Sequence, residues 1–231
     1  MNYILPIVSV LVGFGFVVTI HPKNSNNLKL LLAFSGAFLL SLTAFSLLPE
    51  VYGHHHEHEH ETDTKTIGIF LMAGILLQIF LEFFSKGAEH GHVHLNKKQK
   101  SFPWMLFTSL SIHALLEGFP LHHHDTLVYG IVIHKLPVAI ILSTFFLESD
   151  ISKPKIAAFL LMFALMTPLG TFLNTNLTIF HEYEAYISAL VIGVLLHIGS
   201  TILFESSENH KFNLSKILVI ILGVIAAYFI D

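Results

Sequence analysis

The chain has 231 residues, 53% of them hydrophobic and only 12% charged, and its mean hydropathy is +0.69. That balance is far from a soluble domain's and predicts a membrane protein. With no cysteine, disulfides and thiolate metal sites are excluded, and a formal charge of −4 with scattered basic residues argues against a nucleic-acid partner.

A helix needs about 20 mostly apolar residues to cross ~30 Å of hydrocarbon. Eight stretches meet that requirement in chain order: 3–20, 28–48, 66–84, 102–121, 126–147, 155–173, 183–204 and 214–230. The first lacks a basic leader and an A-x-A cleavage site, so it is read as a retained transmembrane helix rather than a signal peptide. The second ends in Leu48-Pro49-Glu50, the fourth carries His113, Glu117 and Pro120, and the fifth carries His134, Lys135 and Pro137. Connections are short, without a soluble domain or a tandem repeat. The expected fold is all-α, a polytopic membrane protein of eight transmembrane helices forming one domain over 1–231, with proline-kinked helices 4 and 5.

Loop charge orients this bundle, because short cytoplasmic loops are enriched in Lys and Arg. All twelve basic residues are lysines. With the N-terminus outside, the cytoplasmic loops and helix ends collect Lys23, Lys29, Lys86, Lys97, Lys98, Lys100, Lys153, Lys155, Lys211 and Lys216. Only Lys65 falls outside, and Lys135 lies within a helix. Seven spans would give the two halves of the chain conflicting orientations, so the bias predicts eight spans in a cell membrane with both termini outside.

Ionisable side chains are costly in hydrocarbon, by ~3 kcal/mol for an acid, so those that remain merit a functional reading. Every aspartate lies in a loop or at the end, which leaves His113, Glu117, His134, Lys135 and His197 as the interior polar set. In HALLEGFP, His113 and Glu117 are spaced i, i+4 and project from one helical face. Imidazole nitrogen with carboxylate oxygen suits zinc and also iron, manganese or cobalt; the alternative is a His and a Glu hydrogen-bonded across the bundle. Pro137 frees the Ile133 carbonyl one turn earlier, as is tolerated where backbone lines a cavity. His134 can face that same cavity, or be simply buried beside a structural kink.

Three histidine groups fall in loops 50–65, 86–101 and 122–125: His54, His55, His56, His58 and His60; His90, His92 and His94; and His122 to His124 with Asp125. Such segments offer many ligands without fixed geometry, so they either recruit metal weakly or are plain solvated loops.

At these residues the sequence resembles the ZIP (Zrt/Irt-like) family of divalent metal transporters over most of its length. AFSGAFLLSLTAFSLLPE resembles the second helix, LEFFSKGAEHGHVH the third helix running into a histidine-rich cytoplasmic loop, HALLEGF the signature fourth helix, HKLP the start of the fifth-helix motif and MTPLG the sixth. The resemblance implies a ZIP-like bundle with a broken fourth and fifth helix pair, moving divalent metal toward the cytoplasm by alternating access. It makes His113, Glu117 and His134 ligands of a primary metal site. Where many members form a second, bridged site, this chain has Ala114, Lys135 and Thr167, with Lys135 standing where the second cation would be. A single-metal site is therefore expected. Val138 replaces a further primary ligand, leaving water, a backbone carbonyl or a helix-two group such as Ser46 to complete the shell.

The expected function is transport of Zn2+, or of Fe2+, Mn2+ or Cd2+, with metal ions and the lipid bilayer as partners, no enzymatic activity, and a homodimer compatible with the sequence. Two alternatives stand beside it. A non-transporting metal sensor on the same fold fits Val138; an intramembrane zinc hydrolase finds neither an aspartate nor an HExxH run within the predicted spans to serve as acid or base.

Overall fold

Hydrocarbon offers a peptide group no hydrogen-bond partner, so a chain of this composition closes its backbone bonds within helices. The computed structural model describes residues 2–20, 25–53, 63–85, 102–122, 125–205 and 214–230; it is all-α, with no strand among the described residues. The elements are α1 (Ile4–Ile20), α2 (Ser25–Leu42), α3 (Leu48–Gly53), α4 (Thr64–Ser85), α5 (Trp104–Gly118), α6 (Asp125–Leu147), α7 (Lys153–Asn176), α8 (Thr178–Glu182), α9 (Glu184–Glu205) and α10 (Leu214–Ile230). A π-helical segment, Thr43–Leu47, joins α2 to α3 without a break, and a 3-10 turn, Phe119–His122, extends α5.

Among the described residues, five stretches are long and apolar enough to cross a membrane: Asn26–Gly53, Thr64–Ser85, Thr126–Leu147, Lys153–Asn176 and Glu184–Phe204. Ile4–Ile20 and Leu214–Ile230 are apolar but shorter. Large hydrophobic side chains cover the outside, among them Leu76, Phe80 and Phe83 on α4 and Leu218, Leu222 and Phe229 on α10. Polar groups meanwhile are shut inside: Gln78 and Glu117 are 0% exposed and Lys135 1%. This inversion of the soluble pattern is that of a protein solvated by lipid.

Some boundaries differ from the sequence expectation. The second helix continues through the π segment to Gly53, because Leu47 and Val51 pack into the main apolar cluster and hold the extra turns in place. In the third histidine group, His122 belongs to the 3-10 turn and Asp125 opens α6, so helical structure reaches one residue further than expected on each side, beside buried Leu121 and Leu127; His123 and His124 lie outside the described residues. The short helix α8 has no counterpart among the expected spans.

The helices pack as close pairs, and glycine permits the approach. A Cβ on Gly118 would collide with the Thr167 carbonyl and one on Gly170 with the Leu115 carbonyl, so α5 and α7 touch backbone to backbone. Gly74 and Gly193 bring α4 and α9 together in the same reciprocal way, against Leu190 and Leu71. Side-chain pairings give the directions. Phe70 meets Tyr186 near the starts of α4 and α9 and Glu82 meets His197 near their ends, so these run parallel. Thr167, Thr171 and Asn174 of α7 donate to the carbonyls of Ala114, Gly118 and Phe119, so α7 runs parallel to α5. His113 meets Gln78 and Ser109 meets Leu81, which makes α4 and α5 antiparallel.

Two proline-bearing stretches depend on neighbours for hydrogen bonds. Pro120 cannot donate to the Leu116 carbonyl; the Phe119 N–H takes that acceptor instead, tightening the turn, while α7 donors satisfy Gly118 and Phe119. In α6, Pro137 leaves the Ile133 carbonyl without its helical donor, and one residue away the Ser9 hydroxyl of α1 donates to the Val132 carbonyl at 2.7 Å.

Replacing Gly193 by Ala should part α4 from α9 and cost about 1–3 kcal/mol, the usual range for overpacking. Gly15→Ala, which meets nothing within 4 Å, serves as the control and should be neutral or slightly stabilising. Thermal unfolding of the detergent-solubilised protein separates the two; equal melting temperatures would refute the close-approach account.

Candidate metal centre

Three side chains from two helices meet in one buried polar group. On α5, His113 and Glu117 stand one turn apart, and His113 Nε2 lies 3.0 Å from Glu117 Oε1. From α6, His134 Nε2 approaches the same oxygen at 3.6 Å. The three side chains can each offer a ligand atom within 4.8 Å of the others, and all are buried. Two ligands held about 2.0–2.1 Å from a tetrahedral zinc ion are about 3.4 Å apart, so these spacings need little adjustment to close on one ion. Nothing in this donor set is soft, which suits zinc and the harder divalent transition metals alike.

Lys135 completes the arrangement from the next position on α6. Its Nζ lies 2.7 Å from Glu117 Oε2 and 4.7 Å from the centroid of the Phe163 ring. The two carboxylate oxygens thus have separate partners, imidazoles on one side and an ammonium on the other. Removing a buried acid's partners is costly because water cannot replace them, so this pairing also keeps the carboxylate tolerable in an apolar interior.

Four of the remaining sequence candidates lie among the described residues. Val138 and Ala114 lie in an apolar cluster with Leu110, Leu142 and Phe163, so both pack rather than ligate. Thr167 directs its hydroxyl to the Ala114 carbonyl at 2.9 Å. Ser46 is half-buried in the π segment. The loop histidines His54, His55, His56, His58, His60, His90, His92 and His94 lie outside the described residues.

Two residues of α4, one buried and one half-buried, add polar contacts without having been marked by their sequence context. Gln78, fully buried, places Oε1 3.2 Å from His113 Nδ1. An amide oxygen only accepts, so an Nδ1–H donated to it would leave the Nε2 lone pair to a metal on the side where Glu117 and His134 converge. A metal-ligating imidazole needs this kind of orienting partner. The available signal is that Gln78 is the only amide within 66–84, where an unpartnered one would be costly. One turn further along α4, Glu82 Oε2 pairs with His197 Nε2 at 2.8 Å, which accounts for the remaining interior histidine.

No model of a known protein family matches this chain, and no curated protein matches it. The metal-binding reading therefore stands on the residues themselves.

Gln78→Leu should weaken divalent-metal binding by about 10- to 100-fold, the usual consequence of losing an orienting partner. Calorimetric titration of the purified protein measures this, and unchanged affinity would show that His113 is positioned without Gln78.

Proposed function

We propose that this protein carries a divalent transition metal, zinc foremost, across a cell membrane toward the cytoplasm by alternating access through a single-metal site. The observation that carries the proposal is the convergence of His113, Glu117 and His134 in a buried group among apolar helices. A buried carboxylate between two imidazoles, enclosed by apolar helices, is an expensive arrangement in hydrocarbon, and holding a cation there is what it suits. The resemblance of HALLEGF and HKLP to the fourth- and fifth-helix motifs of the ZIP family supports the same reading.

The proposed topology is eight spans with both ends outside. Its support is the lysine bias together with the helix directions: parallel α4 and α9, parallel α5 and α7, and α4 opposed to α5 are what a chain crossing back and forth produces. Coupling needs no nucleotide-binding domain. Because binding requires unprotonated imidazole, His113 and His134 exchange protons for metal, and acidification opposes loading.

The sensor reading draws on one observation, the packing of Val138 among apolar side chains, which leaves the group three side-chain ligands. Three ligands hold metal less firmly than four, which a carrier that must release its cargo can use. Transport and sensing therefore part on flux, not on binding.

Zinc uptake into proteoliposomes should be saturable in the parent protein and fall to background in both His113→Ala and Glu117→Ala. Uptake unchanged in both would sink the site assignment, while stoichiometric binding with no flux in the parent would favour a sensor. Metal affinity should also decline as pH falls, a sign that follows from protons and metal competing for the same nitrogens.

A further inference from the structure

Coordination of a metal by His113, Glu117 and His134 does not by itself call for a lysine on the same carboxylate. Lys135 is nonetheless 1% exposed, its Nζ 2.7 Å from Glu117 Oε2, and its position is fixed further by the Phe163 ring. Among the described residues no other lysine is so deeply enclosed.

We infer that Lys135 is a tethered competitor, a covalently attached cation that shares Glu117 with the cargo metal and so weakens its hold and speeds its release. This rests on the metal-binding reading of the three ligands. A metal on the Oε1 side and the ammonium on the Oε2 side draw on the negative charge of one carboxylate. They also repel each other through an interior with little screening. When the metal leaves, the ammonium remains, and Glu117 is never stranded as an uncompensated buried charge. The flexible four-carbon stem suits this role, since Nζ can shift along the carboxylate as the occupant changes.

The consequence concerns rate as much as affinity. Removing the charge should deepen the bound state, lowering the half-saturating metal concentration while slowing the maximal rate. A lysine with a merely structural role would, on removal, lower both stability and affinity.

The test uses the full chain in detergent, titrated calorimetrically with Co2+ or Zn2+. The binding that disappears in His113→Ala identifies the site's own signal against weak binding by loop histidines. Lys135→Met, which keeps an apolar stem without charge, should bind about 10- to 100-fold more tightly than the parent, the scale at which residues next to a ligand tune a metal site. Lys135→Arg, which keeps the charge, should shift affinity less. In proteoliposomes Lys135→Met should saturate at lower metal and turn over more slowly. Equal or weaker binding by a folded Lys135→Met overturns the inference; if that variant does not fold, Lys135→Gln carries the same comparison. Absence of any His113-dependent binding in the parent would instead overturn the metal-site reading, so the two failures are distinguishable.

Discussion

An acid in hydrocarbon cannot be left alone, and the arrangement around Glu117 follows from that constraint. Its carboxylate is wholly enclosed, with imidazoles of His113 and His134 at one oxygen and the Lys135 ammonium at the other. These partners come from two helices, α5 and α6, whose relative position must hold to within a fraction of an ångström for the contacts to persist. Glycines and hydroxyls hold each of the two against its own neighbour. Gly118 and Gly170 bring α7 against α5, and the Thr167, Thr171 and Asn174 donors lock the register between them. On the other side Ser9 of α1 reaches the Val132 carbonyl, two residues before His134.

Apolar packing surrounds the polar group in two clusters. One cluster gathers Phe38, Leu42, Ile131, Val191 and Leu195; the other gathers Val10, Leu110, Phe146, Phe159 and Phe163. His134 and Lys135 lie on the stretch of α6 between Ile131 of the first and Val138 of the second. Such surroundings offer little screening and raise the strength of every charge interaction within, so one lysine would be felt by a cation on the far side of the shared carboxylate.

Much of this is legible in the chain because lipid imposes a simple grammar. Long apolar runs forecast the helices, and the i, i+4 spacing of His113 and Glu117 alone puts them on one face of a helix. His134 stands three residues before Pro137, a place the sequence marks for a further ligand, although α6 stays helical throughout. The features that sequence conceals depend on partners far away along the chain. Gln78 lies 35 positions from His113, and nothing local marks it as the orienting group rather than a packed amide. Similarly, Lys135 is recognisable as an unusual residue, but its direct hold on Glu117 depends on how α6 rotates against α5. The extension of α2 into α3 is hidden because a π segment shifts the facing of residues in a way no fixed 3.6-residue period describes.

The same geometry bears on how occupancy would be felt by the rest of the protein. Among the described residues, α5 lies mainly against α4 and α7, whereas α6 lies mainly against α1 and α2, and α5 and α6 have little backbone contact with each other. Across that seam the specific polar links are those from Glu117 to His134 and Lys135. A cation entering between the imidazoles would strengthen one link and weaken the other, because both terminate on one carboxylate. A ligand shifts a conformational equilibrium only by the difference in its interaction with the alternative states. At this seam such a difference is unavoidable, since any sliding of α5 past α6 changes the distances from Glu117 to its partners on α6 and with them the grip on the cation. A bound cation would therefore be coupled to relative helix position through Glu117, which faces the imidazoles and the ammonium at once.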